Sequence, residues 1–269
     1  MKARLSMSES GYRYIYGPVS SWRLGRSLGV DPISAKEKIC TFDCVYCQLG
    51  RTKMFSNERR EFVRIKDVIH EIQTLPWSSI DYITFSGAGE PTLAKNLGGM
   101  IKAVKKIRKE KVAVITNASL MNRRDVQQDL SLADFVLAKL DADSEESFQA
   151  INRPMPGMNF RTVVATVKGF RSFYKGRFAL QIMFTSLNEK SAGQIAQLAK
   201  EIRPDEIEIN TPLRPCGAEP LSEVILGGIE QQFRDICCGD ISIINVYSAE
   251  KKKVLPISGP DTLRRRGKV

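Results

Sequence analysis

Three cysteines within one eight-residue segment constrain this chain more than any other feature. Cys40, Cys44 and Cys47 lie in the segment CTFDCVYC, and no further cysteine occurs before Cys216. A closed structural zinc site takes four ligands, normally as two Cys/His pairs. Three thiolates in one loop instead suit a cubane cluster of four irons that leaves one iron without a protein ligand. An open iron of this kind can bind a small molecule.

The cysteine spacing also carries a family resemblance. With Tyr46 directly before the last cysteine, the segment resembles the radical S-adenosylmethionine (radical SAM) superfamily. The resemblance implies that Cys40, Cys44 and Cys47 hold a [4Fe-4S] cluster whose open iron chelates SAM, with Tyr46 near the adenine. It also implies reductive cleavage of SAM to a 5′-deoxyadenosyl radical, which removes a hydrogen atom from a substrate. A zinc site or a loop of buried thiols is the alternative.

A second motif follows the next predicted strand. Gly87, Gly89 and Glu90 lie in the segment SGAGEPT. Glycines at a strand end let backbone approach a ligand closely, and a carboxylate there can pair with a bound ammonium. The segment resembles the superfamily's glycine–glutamate motif, which binds the amino group of SAM, although Ala88 separates the two glycines. The alternative is an ordinary turn that caps a helix at Thr92.

Alternating apolar segments predict the fold. Six strands separated by helices are expected at 27–33, 80–86, 111–116, 135–140, 178–184 and 206–210. This order is typical of parallel βα units with right-handed crossovers. The fold class is therefore α/β, a partial (β/α)6 TIM-like barrel of the radical SAM type. We expect a core over 1–220, with a lead-in over 1–27, and a C-terminal extension over 221–269 made of a helix, a strand and a basic tail.

Polar residues at strand ends are the candidates for chemistry, because α/β barrels place their sites at the carboxyl ends of strands. Asn117 and Asp141 follow two predicted strands, and the superfamily resemblance implies that they lie near the ribose or the substrate. Helix capping is their alternative role. Cys216, on the last barrel loop, is a candidate hydrogen-atom donor or substrate contact. A second cluster at Cys216, Cys237 and Cys238 matches no spacing typical of such clusters.

Composition bounds the location and the partners. The 269 residues are 42% apolar, without the ~20-residue apolar run of a membrane span or a signal-like start. Six cysteines, three of them clustered, do not resemble a secreted disulfide framework. We therefore predict a cytoplasmic protein. The formal charge of +11 suits tRNA or another polyanion, or simply a basic protein.

Several charged positions have simple readings. His70, the single histidine, lies beside an apolar stripe and is expected to be a solvated helix position. The lysines between 102 and 109 are expected on an outer helix face. Arg153 either holds an anionic group or braces its loop. The run Arg264–Arg265–Arg266 near the C-terminus reads as a basic tail.

Function is predicted at two levels. The residues 17–26 and 47–52 resemble a radical SAM subgroup related to wyosine-forming, tRNA-modifying enzymes, although Ser20 and the pair Trp22–Arg23 depart from it. Wyosine formation uses further N-terminal cysteines, and none precedes Cys40, so that reaction is not carried over. The alternative enzyme functions are a glycyl-radical-enzyme activase and an enzyme that modifies peptides or proteins. The non-enzyme alternative is a zinc- or cluster-binding RNA module. The electron donor is expected to be a flavodoxin or ferredoxin. The oligomeric state is not predicted.

Overall fold

Strands and helices alternate along most of the chain. The structure, a computed structural model, describes residues 11–75, 79–257 and 262. The strands are β1 Ile15–Ser21, β2 Gly25–Val30, β3 Ile39–Cys40, β4 Met54–Phe55, β5 Tyr82–Phe85, β6 Lys111–Thr116, β7 Phe135–Lys139, β8 Arg177–Met183, β9 Glu206–Asn210 and β10 Ser242–Asn245. The α-helices are α1 Ile65–Gln73, α2 Leu97–Ile107, α3 Arg124–Leu130, α4 Glu145–Asn152, α5 Phe160–Phe173, α6 Ala192–Ile202 and α7 Glu223–Cys237. Short 3₁₀ helices at Pro91–Leu93 and Glu189–Ser191 precede α2 and α6.

One curled sheet organises the molecule. In the part of the chain that the structure describes, its strand order is β1-β2-β5-β6-β7-β8-β9-β10, while β3 and β4 form a separate parallel pair. β1 is antiparallel to β2, and the other neighbours in the large sheet are parallel. The six predicted strands, β2 and β5 to β9, are adjacent and parallel. The predicted α/β partial barrel is therefore confirmed.

The two faces of the sheet bury different side chains because neighbouring residues of a strand point to opposite sides. Val112 and Val114 of β6 pack with the helices, whereas Ala113 and Ile115 point into the half-barrel. The inner cluster consists of Leu24, Tyr82, Ala113, Ile115, Phe135, Leu137 and Ala179. Since Leu24 enters from the turn between β1 and β2, apolar side chains fill the amino end of the interior.

The strand β1 was not predicted. Gly17 and Pro18 interrupt its apolar pattern, and the sequence around them is rich in turn formers. Proline cannot donate to a sheet ladder, so within sheets it is confined mainly to edge strands. β1 is such an edge strand, paired on one side with β2.

The C-terminal helix and strand were predicted as an extension. The strand is observed as β10, which pairs in parallel with β9 and so lengthens the same sheet. The Ile257 amide then donates to the Gly17 carbonyl oxygen (2.6 Å) on the opposite edge strand. The boundary at residue 220 stays a prediction, and the basic tail lies outside the described residues.

Helix ends differ slightly from the sequence expectation. Leu93, expected in the same helix as Leu97, lies in the preceding 3₁₀ helix. Pro76, expected to end α1, lies outside the described residues. None of the helices in the described ranges has the length and apolarity needed to cross a bilayer.

Candidate cluster and cofactor site

The cysteine loop is held on both sides. Cys40 ends β3, which pairs with β4 beyond the loop. The Asp43 amide donates to the Asn152 carbonyl oxygen (3.0 Å). The Val45 amide donates to the Ile151 carbonyl oxygen (2.9 Å). Because carbonyls in the last turn of a helix lack partners within it, the loop satisfies the end of α4 while α4 fixes the path of the loop.

Burial dominates the protonation of the thiols. Cys40 is buried, and Cys44 and Cys47 are half-buried. Burial raises the pKa of the Cys40 thiol to about 12 and that of the Cys44 thiol to about 11. Burial opposes the charge of Lys38, but the neighbouring Cys47, Cys40 and Cys44 outweigh it and raise the pKa of Lys38. A metal that binds these cysteines as thiolates must therefore displace the protons of the thiols.

The donor set fits an iron–sulfur cluster. Thiolates are soft ligands that suit iron–sulfur clusters, and also zinc. No three His, Cys, Asp or Glu side chains in the described ranges are placed to hold one metal ion together. A cubane does not need that convergence, because each thiolate binds a different iron. Cys44 and Cys47 lie in one turn, where the Cys47 amide donates to the Cys44 carbonyl oxygen (3.0 Å), and the charge of Lys38 acts on both of these thiols and on Cys40.

The glycine–glutamate turn docks on the strand that carries the first cysteine. The Glu90 amide donates to the Ile39 carbonyl oxygen (3.2 Å). A Cβ atom at Gly89 would lie 1.6 Å from that same oxygen. A Cβ atom at Gly87 would lie 2.2 Å from Cγ of Asp31. Close contacts within the protein therefore require both glycines, and the turn and the cysteine loop pack as one unit.

The Glu90 carboxylate is buried, with 2% of the residue exposed. Its Oε1 accepts from the Thr92 amide (3.1 Å), the Thr92 hydroxyl (2.7 Å) and the Thr116 hydroxyl (2.6 Å). Its Oε2 accepts from the Asn117 amide (2.8 Å). A carboxylate offers about four lone-pair positions, so Oε2 has room for another donor. The alternative role as a cap is confirmed, since Glu90 caps the 3₁₀ helix Pro91–Leu93, and it leaves Oε2 available.

Asn117 links this turn to the cysteine loop. It directly follows β6. Its Nδ2 donates to the Thr41 hydroxyl (2.7 Å) and lies 3.6 Å from the Cys40 sulfur. Its Oδ1 accepts from the Ser119 amide (3.0 Å), which is a local turn typical of asparagine. The side chain thus lies beside the thiols as well as shaping its own loop.

Asp141 and Tyr46, which were singled out separately, share a hydrogen bond. Asp141 Oδ2 also accepts from Asn152 Nδ2 (2.9 Å), and Oδ1 accepts from the Met183 amide (2.8 Å). Lys139 Nζ lies 3.0 Å from Asp141 Oδ1 and 4.9 Å from the centre of the Tyr46 ring. Burial, with the adjacent Asp141, raises the pKa of Tyr46, so its hydroxyl stays a donor. The fold brings this network against the cysteine loop.

Cys216 lies on the loop that follows β9, and this loop packs against the cysteine loop. A Cβ atom at Gly217 would lie 2.9 Å from the Val45 carbonyl oxygen. Arg214 donates to the Gln48 side chain (2.8 Å). The half-buried Cys216 is therefore on a segment that packs against the cysteine loop, and its chemical role stays a prediction.

The remaining cysteines lie elsewhere. Cys237 is buried at the end of α7, and its sulfur lies 3.6 Å from the Ala196 carbonyl oxygen of α6. Cys238 is exposed next to it. Cys216 precedes α7, on a loop that packs beside the cysteine loop, whereas Cys237 and Cys238 lie at the end of α7. These contacts do not support a second cluster.

Other charged residues lie at the surface. His70 is exposed on α1, and Arg153 is exposed at the end of α4. Lys102, Lys105 and Lys106 of α2 are exposed as well, and so is Lys109, which follows the helix. The expectation of solvated positions is confirmed for His70 and for these lysines.

A polar row inside the half-barrel was not predicted. Lys139, Gln181 and Glu208 are register partners on β7, β8 and β9. Gln181 Nε2 donates to Glu208 Oε2 (3.3 Å), and Arg23 Nε lies 3.6 Å from the same oxygen. A usable signal existed in β9, where glutamates alternate with isoleucines. The isoleucines pack toward the helices, so the glutamates must face inward.

We expect the Glu208→Gln substitution to flatten the pH dependence of stability. Glu208 has no exposed surface, and burial raises its pKa to about 8 although Arg23 opposes the shift. An acid with a raised folded pKa contributes stability below its unfolded pKa and loses it as pH rises through the folded pKa. The free energy of unfolding should fall between about pH 5 and pH 8.5 in the unmodified protein, and less steeply in the variant. Urea unfolding measures both slopes, and equal slopes would contradict the raised pKa.

The fold and these contacts define an α/β half-barrel protein with a thiol-rich site at the carboxyl end of its strands. Residues 38–201 match the radical SAM superfamily. A UPF0026 protein of Synechocystis is 40% identical over 215 residues, which is 79% of each chain. This chain therefore belongs to the radical SAM superfamily, and membership implies SAM and an iron–sulfur cluster as cofactors.

Two further proteins are similar to this chain but are much longer than the matched region. A Brachyspira hyodysenteriae protein named GTPase Obg is 31% identical over 257 residues, which cover 93% of this chain but 38% of that protein. The crystal structure of Streptococcus suis SuiB bound to S-adenosylmethionine superposes with a TM-score of 0.60 at 13% identity, over 78% of this chain. The match covers 48% of SuiB, so this chain spans about half of it. The likeness to SuiB concerns the fold.

Proposed function

We propose that this chain is a radical SAM enzyme in which Cys40, Cys44 and Cys47 hold a [4Fe-4S] cluster with one iron open to SAM. The packing of the three-cysteine loop against the Glu90 turn, at the carboxyl end of a parallel half-barrel, carries this proposal. α/β barrels place their chemistry at that end. When bound, the cluster and SAM would supply a one-electron cleavage of the SAM C–S bond, with the electron taken from an external reductant. This cleavage would release methionine and a 5′-deoxyadenosyl radical able to remove a hydrogen atom from the substrate.

The cofactor-facing roles follow from the contacts. Glu90 is proposed to accept an N–H of the SAM amino group through Oε2, the oxygen with spare lone-pair capacity. Gly89 holds the turn against the cysteine strand, and Gly87 holds it against Asp31. Tyr46 is proposed to lie beside the adenine, and Asn117 beside the cofactor ribose. These groups bind and orient the cofactor, and the burial of Glu90 keeps water from its carboxylate.

Asp141 and Cys216 are proposed to act on the substrate side. Asp141 already receives hydrogen bonds from Tyr46 and Asn152 and pairs with Lys139. Its proposed contribution is therefore to fix the positions of those groups. Cys216 is proposed as a substrate contact or hydrogen-atom donor, since its loop packs on the cysteine loop.

Enzymes of this superfamily need a reductant, and a flavodoxin or ferredoxin is the proposed donor. For the substrate, the charge of +11 favours tRNA or another polyanion. A glycyl-radical activase or peptide modifier is the alternative. Binding to tRNA that weakens steeply with added salt would favour the first substrate class. Absence of such binding, with activity on a protein partner, would favour the second. The wyosine-related subgroup stays a prediction, since the relatives described above carry other names.

The proposed activity predicts that anaerobically reconstituted protein, given dithionite, converts SAM to 5′-deoxyadenosine. Chromatography of the quenched reaction measures this product, and a reaction without dithionite is the control. A zinc- or cluster-binding RNA module predicts no product. Folded, cluster-loaded protein that yields none would overturn the proposal.

A further inference from the structure

An amide or ammonium N–H group lies beside each of the three predicted cluster cysteines. Asn152 Nδ2 lies 3.5 Å from the Cys44 sulfur, and Asn117 Nδ2 lies 3.6 Å from the Cys40 sulfur. Lys38 Nζ donates to the Gly50 carbonyl oxygen (3.1 Å), at the end of the cysteine loop, and its charge interacts with that of Cys47. All three sulfurs are therefore approached by N–H groups.

Separate elements deliver these donors. Lys38 directly precedes β3, Asn117 follows β6, and Asn152 is the last residue of α4. Lys38 and Asn152 are buried, with 7% and 3% of their surfaces exposed. Hydrogen bonds in such a low-dielectric setting are electrostatically stronger than in water. Their convergence on one loop therefore has a large effect on the charge that the sulfurs can hold.

We propose that Lys38 and Asn152, together with Asn117, set the reduction potential of the cluster. The inference rests on the proposed cluster at Cys40, Cys44 and Cys47. Hydrogen bonds to the sulfurs, net charge and solvent exposure control iron–sulfur potentials. An N–H directed at a thiolate stabilises the extra electron of the reduced state. The ammonium of Lys38 adds positive charge, which Asp43 Oδ1 at 3.8 Å offsets in part. These groups therefore make the cluster easier to reduce.

Asn152 needs a control for its structural role, because it also donates to Asp141 (2.9 Å). Asn188 is the matched residue, a buried asparagine at the same end of the barrel. Its Nδ2 donates to the carbonyl oxygens of Asp141 (2.8 Å) and Met183 (3.0 Å). It donates to no cysteine among the described residues. The Asn188→Leu change therefore removes a comparable amide without removing a donor to sulfur.

The experiment is a redox titration of the loaded proteins without air, followed by electron paramagnetic resonance. Asn152→Leu should shift the midpoint potential to a more negative value. Lys38→Met should shift it further, because a charge is lost as well. Asn188→Leu should leave it unchanged. Equal potentials in the unmodified protein and in the Asn152 and Lys38 variants would overturn the inference, as would an equal shift in Asn188→Leu.

The two proposals fail in distinguishable ways. An unmodified protein without iron and sulfide would end the proposed function, and this inference with it. If the protein holds the cluster and cleaves SAM, but the midpoint potential does not change in the Lys38 and Asn152 variants, only this inference is overturned. If the Asn152→Leu protein does not hold the cluster, the same titration is made on Asn152→Ala and Lys38→Gln, whose midpoint potentials should also be more negative than that of the unmodified protein.

Discussion

Replacement of Cys44 by Ala should abolish reductive cleavage of SAM. Cys44 lies in the middle of the loop, and its removal leaves two loop thiols for a cluster that is proposed to need three. The loss should exceed the roughly 10–100-fold cost that typically follows removal of a group supporting a metal ligand. Production of 5′-deoxyadenosine by reconstituted protein measures it, together with the iron content of the same sample.

The control for this substitution is Cys238→Ala. Cys238 is exposed at the end of α7 and makes a local contact with the Asp235 carbonyl oxygen. Its replacement should leave the iron content and SAM cleavage unchanged. Full activity in the Cys44→Ala protein, or an equal loss in the Cys238→Ala protein, would contradict the assigned ligands.

Gly89→Ala should damage both stability and cluster loading. The added Cβ would lie 1.6 Å from the Ile39 carbonyl oxygen, so the turn and β3 must move apart. Overpacking of this kind costs typically about 1–3 kcal/mol in the free energy of unfolding. Because Ile39 directly precedes Cys40, the same movement displaces a ligand. Urea unfolding of the apo protein measures the first effect, and iron content after reconstitution measures the second.

Gly169→Ala is the matched control. Gly169 lies in α5, and an added Cβ would meet no atom within 4 Å. Alanine favours a helix over glycine by about 1 kcal/mol, so this variant should be slightly more stable and load normally. If Gly89→Ala matched Gly169→Ala in stability and iron content, that result would contradict the close packing of the turn on β3.

Much of the fold could be predicted because its strands are buried in the regular way of parallel sheets. The continuous apolar run of β6 is typical of a strand covered on both faces, and its bounds matched the prediction. The edge strand β1 could not be found this way. It carries Gly17 and Pro18, and its pairing with β2 depends on a neighbour that no local pattern reveals.

The candidate site could be predicted residue by residue but not as a network. Cys44, Tyr46 and Asp141 stood out by motif or by position at a strand end. Asn152 did not, because its role depends on sulfur and carboxylate groups up to 108 residues away in the chain. Lys38 was overlooked for a related reason. Lysines are mostly exposed, and only the fold shows that this one is buried beside three thiols.

The central claim is that three thiolates hold a cubane cluster with an open iron. The most direct test is the iron, sulfide and zinc content of protein purified without air, with its absorbance spectrum. We predict about four irons and four sulfides per chain, with a broad visible absorbance that dithionite bleaches. About one zinc per chain with no inorganic sulfide would contradict the claim.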